Sequence, residues 1–269
     1  MGVGTVVSLW RYPVKSMMGE ELNASEVTER GLLGDRACAL MDSSTGMVVS
    51  AKHPRKWKQL YDCRAAYSEP PSPHAKFPTV RITLPDGKIF TSERDDINQI
   101  FSTLLNRDVT FRMPAPATVA LEEYWPDIEG LVYRETVTEE AMPSETFFDL
   151  AVVHVLATST IDRLRELYPK GRFEVRRFRP NIVVQTSSSG DGFVEDAWIG
   201  RTLAIGEKVR LAVTGPCPRC VMTTMAQGDL PADPGILRTA AQHNQANIGI
   251  YASVLSSGTL HRGDQVTLH

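Results

Sequence analysis

A mainly β chain with a few helices, an α+β arrangement of two β-rich units, is the fold that this sequence predicts. Three observations predict it. Short apolar runs bounded by Gly, Pro, Asn and Asp recur along both halves of the chain. Only a few segments carry helical spacing. Met113 to Ser144 holds Pro114, Pro116, Pro126 and Pro143 and shows little periodicity. It is placed as the connection between the two units, 1–120 and 121–269.

The elements follow in order. Val3 to Tyr12 is a strand ended by Pro13. Cys38 to Met41 and Met47 to Ala51 flank Asp42-Ser43-Ser44-Thr45-Gly46, a hairpin signal. Ser68 to Pro78 carries four prolines and is loop. Val80 to Leu84 and Ile89 to Thr91 flank a turn with Asp86-Gly87 at its tip. Asp95 to Leu105 has helical spacing, with Asn106 as its stop. In the second unit Ala151 to Ala157 is a buried strand, and Ser159 caps a helix to about Tyr168 with Asp162 in a capping-box position. Asn181 to Gln185 is a strand and Ser187 to Gly192 a loop. Thr202 to Ile205 and Val209 to Val213 are strands around Gly206-Glu207-Lys208, and Val221 to Met225 is β-prone. Asp233 caps a short helix opened by Pro234. Ile248 to Leu255 and Gln265 to Leu268 are closing strands. Short strands with two helices make this unit a barrel rather than a doubly wound sheet.

Composition narrows the function classes. The chain has 269 residues, 42% hydrophobic and 23% charged, enough to bury a core. A net charge of −3 argues against a general nucleic-acid binder. No run reaches the ~18 apolar residues of a membrane span, so no membrane is expected. Met1 to Trp10 lacks the features of a signal peptide. Four unevenly spaced cysteines do not make a disulfide scaffold. A protein of the cytoplasm is expected. Two basic clusters, Lys52 to Lys58 and Arg172 to Arg179, are candidate anion sites or solvated faces.

The chemistry concentrates in Gly215-Pro216-Cys217-Pro218-Arg219-Cys220. A Cys-x-x-Cys pair reads as half a zinc site, a redox pair, two small buried residues, or a single soft thiolate ligand with a neighbour. Cys38 and Cys63 supply no obvious zinc partners. Arg219 beside the thiols would favour the deprotonated form. Further cations stand at chain turns: Lys15 with Ser16 after Tyr12-Pro13-Val14, Arg36 after Gly34-Asp35, and Arg179 before Pro180-Asn181. Arginine is the preferred bidentate partner of phosphate. One soft thiolate among cations fits an anionic, metal-bearing cofactor.

These segments, in this order, resemble the MOSC family, the molybdenum-cofactor sulfurase C-terminal domains, here with an N-terminal β-barrel partner. The chain is similar to bacterial relatives of the mitochondrial amidoxime-reducing component. Tyr12 to Ser16, Gly34 to Arg36, Phe178 to Val184, Cys217 to Cys220 with Thr223-Thr224, and Gly258 to Val266 carry the likeness. The resemblance implies two β-barrel-like domains with a molybdenum cofactor (Mo-molybdopterin) between them. It places Cys220 as the metal ligand and Cys217 at a non-ligating position. It places Lys15, Ser16 and Arg36 on the cofactor's phosphate and pterin. Arg179, Asn181, Pro218 and Arg219 would lie near the cofactor, with Tyr251 a contacting aromatic. Asp149 would be an acidic residue near the metal and a possible proton relay, followed into the site by the backbone of Leu150 and Ala151.

The implied activity is reduction of small N-hydroxylated substrates: amidoximes, hydroxylamines or N-hydroxylated bases. A cofactor carrier or sulfur relay through Cys220 is the alternative. The sequence stops at His269 without the ferredoxin-type domain of some relatives, so a separate donor is expected, of ferredoxin, flavodoxin or flavin-reductase type. Ser187 to Ala197 departs from the family pattern.

Overall fold

Alternating β-branched and small residues draw the two ends of the chain into one sheet. The computed structural model describes residues 2–186 and 192–269, so the expected loop from Ser187 lies almost wholly outside the described residues. The first half holds β1 (Gly2–Arg11), β2 (Glu20–Leu22), β3 (Ala24–Thr28), β4 (Gly31–Leu32), β5 (Ala39–Asp42), α1 (Pro54–Tyr61), β6 (Arg64–Tyr67), β7 (Val80–Thr83), β8 (Ile89–Thr91), α2 (Ile97–Leu105) and β9 (Val109–Arg112). Next come β10 (Ala120–Trp125) and β11 (Thr136–Ala141). The remainder holds β12 (Val153–Ala157), α3 (Thr158–Leu167), α4 (Val175–Phe178), β13 (Ile182–Thr186), β14 (Thr202–Ile205), β15 (Val209–Pro218), α5 (Gly235–Asn244), β16 (Asn247–Ser256), β17 (Gly258–His261) and β18 (Gln265–Leu268). No helix is long and apolar enough to cross a membrane.

The chain is mainly β with five α-helices among the described residues. Seven strands run β13-β12-β16-β15-β14-β18-β1, and pairing of β1 with β13 closes them into a barrel. The register sets Val6 against Val184 and Leu9 against Ile182. Alternate residues point inward, and the register shift between Val6 and Ser8 keeps both Val6 and Leu9 on that side, where they form a core with Val155, Ile182, Leu211 and Ile250. β12 lies parallel to β13, and every one of its residues is buried. The N-terminal unit wraps short sheets, β5-β9 and β6-β7-β8, with α1 and α2 around a second core that includes Leu40, Leu60, Ile82 and Phe101.

Several local expectations are corrected. The turn at Asp42 forms, with Asp42 N–H donating to Met47 O at 2.8 Å. Its return arm stays against β5, with an antiparallel bridge between Met41 and Val48 and Val49 N–H donating to Leu40 O at 2.8 Å, so the expected hairpin is present. The arm also reaches onward, Val48 N–H donating to Ala120 O at 2.8 Å, and the other neighbour of β5 is β9. The connection Met113 to Ser144 contains the β10–β11 hairpin. Ser159 does not cap α3; it lies within the helix, and its Oγ is buried without a partner. The strand runs straight into the helix, and Glu195 steadies the junction. Its Oε1 accepts from Ala157 N–H at 3.3 Å, and its Oε2 bonds Thr160 Oγ1 at 2.5 Å. Asp233 does serve its helix, accepting from Gly235 N–H at 2.8 Å.

Glu195 is fully buried and forms no ion pair with a described residue, and burial pushes its carboxyl up to about 7. The folded state therefore holds a proton that the unfolded state releases near pH 4.5. The stability this proton confers is complete below the unfolded value and is lost as pH rises through about 7. The loss amounts to about 3 kcal/mol. Glu195→Gln is expected to remove that slope. Urea denaturation at pH 5 and pH 8 should show parent and variant converging or crossing; a constant difference would mean that Glu195 does not titrate there.

Candidate functional site

Between the barrel and the N-terminal unit lies an open cleft enclosing about 730 Å³. All twelve residues named from the sequence border it: Lys15, Ser16 and Arg36 from the N-terminal side, Asp149, Leu150 and Ala151 from the segment entering β12, and Arg179, Asn181, Pro218, Arg219, Cys220 and Tyr251 from the barrel side. Two adjacent loops set the N-terminal wall. Lys15 N–H donates to Cys38 O at 2.9 Å, and Arg36 N–H donates to Tyr12 O at 2.8 Å. Asp35 fixes the corner: its Oδ1 accepts from Tyr12 N–H at 2.7 Å, and its Oδ2 takes Asn181 Nδ2 at 2.8 Å and the Arg36 guanidinium. Asn181 in turn accepts from His154 N–H at 3.0 Å, tying the wall to β12.

Ser16, Arg36 and Arg179 have φ of 66°, 48° and 53°. Non-glycine residues rarely take this left-handed conformation, and it persists where surrounding structure over-determines it, as at binding sites. Here the over-determination is visible. Ser16 Oγ accepts from Ala51 N–H at 3.0 Å, and Arg179 Nη1 donates to Met17 O at 2.6 Å. The Arg36 and Arg179 guanidinium carbons lie 4.9 and 4.1 Å from the centre of the Tyr12 ring.

The cleft is strongly positive. Lys15, Arg36, Lys52, Arg179 and Arg219 border it, with Asp149 as the one carboxylate among the lining residues. Lys15 Nζ donates to Phe147 O at 2.9 Å and pairs with Asp149 Oδ1, while Lys52 Nζ sits 3.4 Å from Asp149 Oδ2 and 2.8 Å from Glu123 Oε2. Burial alone would raise the Asp149 pKa, but Lys15 and Lys52 hold it well below the usual carboxylate range. Burial draws Lys15 down, against the pull of Asp149.

Cys217 and Cys220 have separate environments. Cys217 is fully buried, and Arg219 Nη1 donates to its Sγ at 2.6 Å while Nη2 donates to Phe178 O at 2.8 Å. Cys220 is partly exposed on the cleft. Arg219 favours the deprotonated form of this thiol, as expected, but does not decide its state. Burial, with Glu123 beside it, pushes the thiol up to about 11, outweighing Lys52 and Arg219. Val221–Thr224 is a 3₁₀ turn rather than a strand. Thr223 Oγ1 donates back to Cys220 O at 3.0 Å, which closes that turn. Among the described residues no three His, Cys, Asp or Glu side chains gather as a zinc site would require.

The family model described as MOSC domain matches residues 144–267, and that described as MOSC N-terminal beta barrel domain matches residues 3–99. The chain belongs to the MOSC domain family. Mitochondrial amidoxime reducing component 2 of Bos taurus is 28% identical across 98% of this chain and 83% of its own length. Mitochondrial amidoxime-reducing component 1 of Homo sapiens is 25% identical across 99% of this chain and 83% of its own. The YUAD protein of Bacillus subtilis, a solved structure, aligns with a TM-score of 0.49 and 11% identity over 100% of this chain and 96% of that one.

This MOSC protein also brings to the cleft residues outside the set that the resemblance named. Lys52 is one, the single member of the first basic cluster to border the cleft; that cluster otherwise zips α1 onto the hairpin, Lys56 pairing with Glu122 and Arg55 with Glu135. His154 is another. It is buried, its Nε2 lies 3.1 Å from Ile248 O, and burial with the nearby Arg219 pushes it well below the usual range, so it stays neutral. Its strand, Val153-His154-Val155, carries no pattern that would mark it. Of the basic residues in the second cluster, Arg179 alone borders the cleft. Arg172 and Arg176 pair with Glu174 and Asp229 at the surface. Arg177, 1% exposed, spends its guanidinium on backbone carbonyls of Arg172, Thr223, Met225 and Pro231.

Proposed function

We propose that the cleft binds a molybdenum cofactor and that the protein is an oxidoreductase acting on N-hydroxylated compounds such as amidoximes, hydroxylamines and N-hydroxylated bases. One observation carries the reading: a single accessible thiol, Cys220, shares a cleft with five cationic side chains that border one carboxylate. That donor set suits an anionic group bearing a thiophilic metal. A buried Arg219 Nε without a partner adds an unused donor at the same wall. The names of the mammalian relatives, amidoxime reducing components, support the choice of reaction.

When bound, the cofactor supplies two-electron redox chemistry at a thiolate-ligated metal. The chain's own part is to hold and tune. Cys220 provides the thiolate, and metal binding must displace its proton. Lys15, Ser16 and Arg36 hold the anionic end from one side; Arg179, Asn181, Pro218 and Arg219 hold it from the other. Leu150 and Ala151 contribute backbone, and Tyr251 packs its ring at the wall. Asp149 anchors the Lys15 and Lys52 ammonium groups. Held so far below the usual range, it carries no proton to donate at neutral pH. Converting N–OH to N–H takes two electrons and two protons and releases water; the electrons come from a separate redox protein. In this reading residues 1–120 and 121–269 are the two units that grip the cofactor, with β1 reaching from the first into the barrel of the second. Four unpaired cysteines suit the reducing cytoplasm.

Protein purified from a cofactor-competent host is expected to carry near-stoichiometric molybdenum and pterin. It should oxidise reduced viologen only once benzamidoxime or a hydroxylamine is added. Bound cofactor without that turnover would replace the enzyme with a carrier or sulfur relay. Absence of both molybdenum and pterin, in a host whose other molybdoenzymes are loaded, would sink the reading.

A further inference from the structure

Behind the β10–β11 hairpin lies a second chamber enclosing about 560 Å³. Lys52, Asp149, Leu150, Pro218, Arg219 and Tyr251 border both this chamber and the cleft, so the two adjoin. The hairpin supplies the outer wall. Leu121, Glu123 and Trp125, alternate residues of β10, all line it, with Glu140 and Met142 from the returning arm. Trp125 Nε1 donates to Thr138 Oγ1 at 2.9 Å, and the same hydroxyl donates to Glu140 Oε1 at 3.0 Å. Indole and carboxylate are thus fixed side by side.

The balance of charge reverses between the two spaces. Five cations and one carboxylate border the cleft; two cations and three carboxylates border the chamber. Of the chamber's two cations, Lys52 is paired with Glu123 and Asp149, while Arg219 turns its two Nη groups away to Cys217 Sγ and Phe178 O. Glu140 is half-buried and forms no ion pair with a described residue. A carboxylate without a counter-ion, beside an indole and a thioether, complements a flat cation or a flat group rich in N–H donors.

We infer that this chamber is the substrate site of the proposed reductase and selects planar N-hydroxylated compounds bearing an amidinium, a guanidinium or another positive charge, with Glu140 reading the charge and Trp125 stacking on the plane. The inference rests on the cleft being the cofactor site. It deepens that reading by naming the substrate's charge and the residues that sense it.

The test uses the full chain and two probes of like shape, benzamidinium and neutral benzamide, titrated by calorimetry. Benzamidinium is expected to bind roughly tenfold or more tightly than benzamide, as a charge-assisted hydrogen bond provides. Glu140→Gln should bring the two affinities to within about twofold of each other, Glu140→Asp should keep the preference, and Trp125→Ala should weaken both. Equal affinities in the parent, or an unchanged ratio in Glu140→Gln, overturn the inference. Turnover is read separately, with benzamidoxime and 4-(aminomethyl)benzamidoxime. Preference for the cationic probe without reduction of either substrate removes the reductase reading and leaves the chamber's selectivity standing. Reduction without any cation preference does the reverse.

Discussion

Cys220→Ala is expected to abolish reduction of benzamidoxime, by roughly a thousandfold or more, in a protein that still folds. The two halves of that expectation have different physical sources. Folding survives because the side chain is partly exposed and joins only the small cluster of Ala51, Tyr61, Met222 and Met225. Removing one sulfur there costs about 1 kcal/mol. Activity fails because no other thiol borders the cleft, and Cys217 is committed to Arg219. Cys220→Ser should fare little better, since a hydroxyl is a poor replacement for a soft thiolate. Molybdenum content, viologen oxidation and a thermal melt, taken on the same preparations, check all three statements. Reduction at the parent rate by Cys220→Ala would exclude the thiolate-ligand mechanism.

Arg177→Ala is expected to give the largest loss of stability of any single change near the site. Arg177 is buried beside the 3₁₀ turn that follows Cys220, and its guanidinium reaches four carbonyls, from Pro231 at 2.7 Å to Thr223 at 3.3 Å. Alanine would leave those oxygens without donors and open a cavity as well. The cost is about 3–5 kcal/mol, or roughly 10 °C in the thermal midpoint of a chain this size. Because Thr223 and Met225 belong to the turn that presents Cys220, the variant should also retain less molybdenum. Arg177→Lys should recover only part of the midpoint, since one ammonium cannot match a fork with several donors. A shift under about 2 °C for Arg177→Ala would mean that the carbonyls find other donors.

The legible part of the site was what proline and glycine punctuate. Lys15, Arg36, Arg179 and Cys220 each stand within three residues of Pro13, Gly34, Pro180 or Pro218, and those punctuated segments carry the family resemblance that assigned their roles. What escaped depended on partners far along the chain. Lys52 gains its place from Glu123, 71 residues away, and nothing near Lys52 announces that partner. The β10–β11 hairpin escaped for a related reason. Glu123 occupies an inward position, 5% exposed, so a charged residue interrupts the alternation that would have marked a strand. Basic clusters misled because neighbours in sequence have different destinies. Arg176 reaches the surface, Arg177 clamps carbonyls and Arg179 enters the cleft. The α3 cap was misplaced because its stabilising carboxylate, Glu195, comes from 38 residues downstream.

The closure of the barrel by β1 has a consequence for how the protein is made. Thr5 pairs with Gln185 on one side and with Gln265 on the other. During synthesis Leu9 to Arg11 can pair early with β2, but the Thr5 end of β1 must wait for both of its barrel partners, β13 and then β18, to leave the ribosome. Such long-range closure slows folding and leaves a sticky edge exposed in the interval. The same seam rules out a modular life for the C-terminal unit: severed from residues 2–11, it would present two open strand edges, β13 and β18, instead of a cylinder. Gene fusions or rearrangements that shuffle this unit must carry its first strand along.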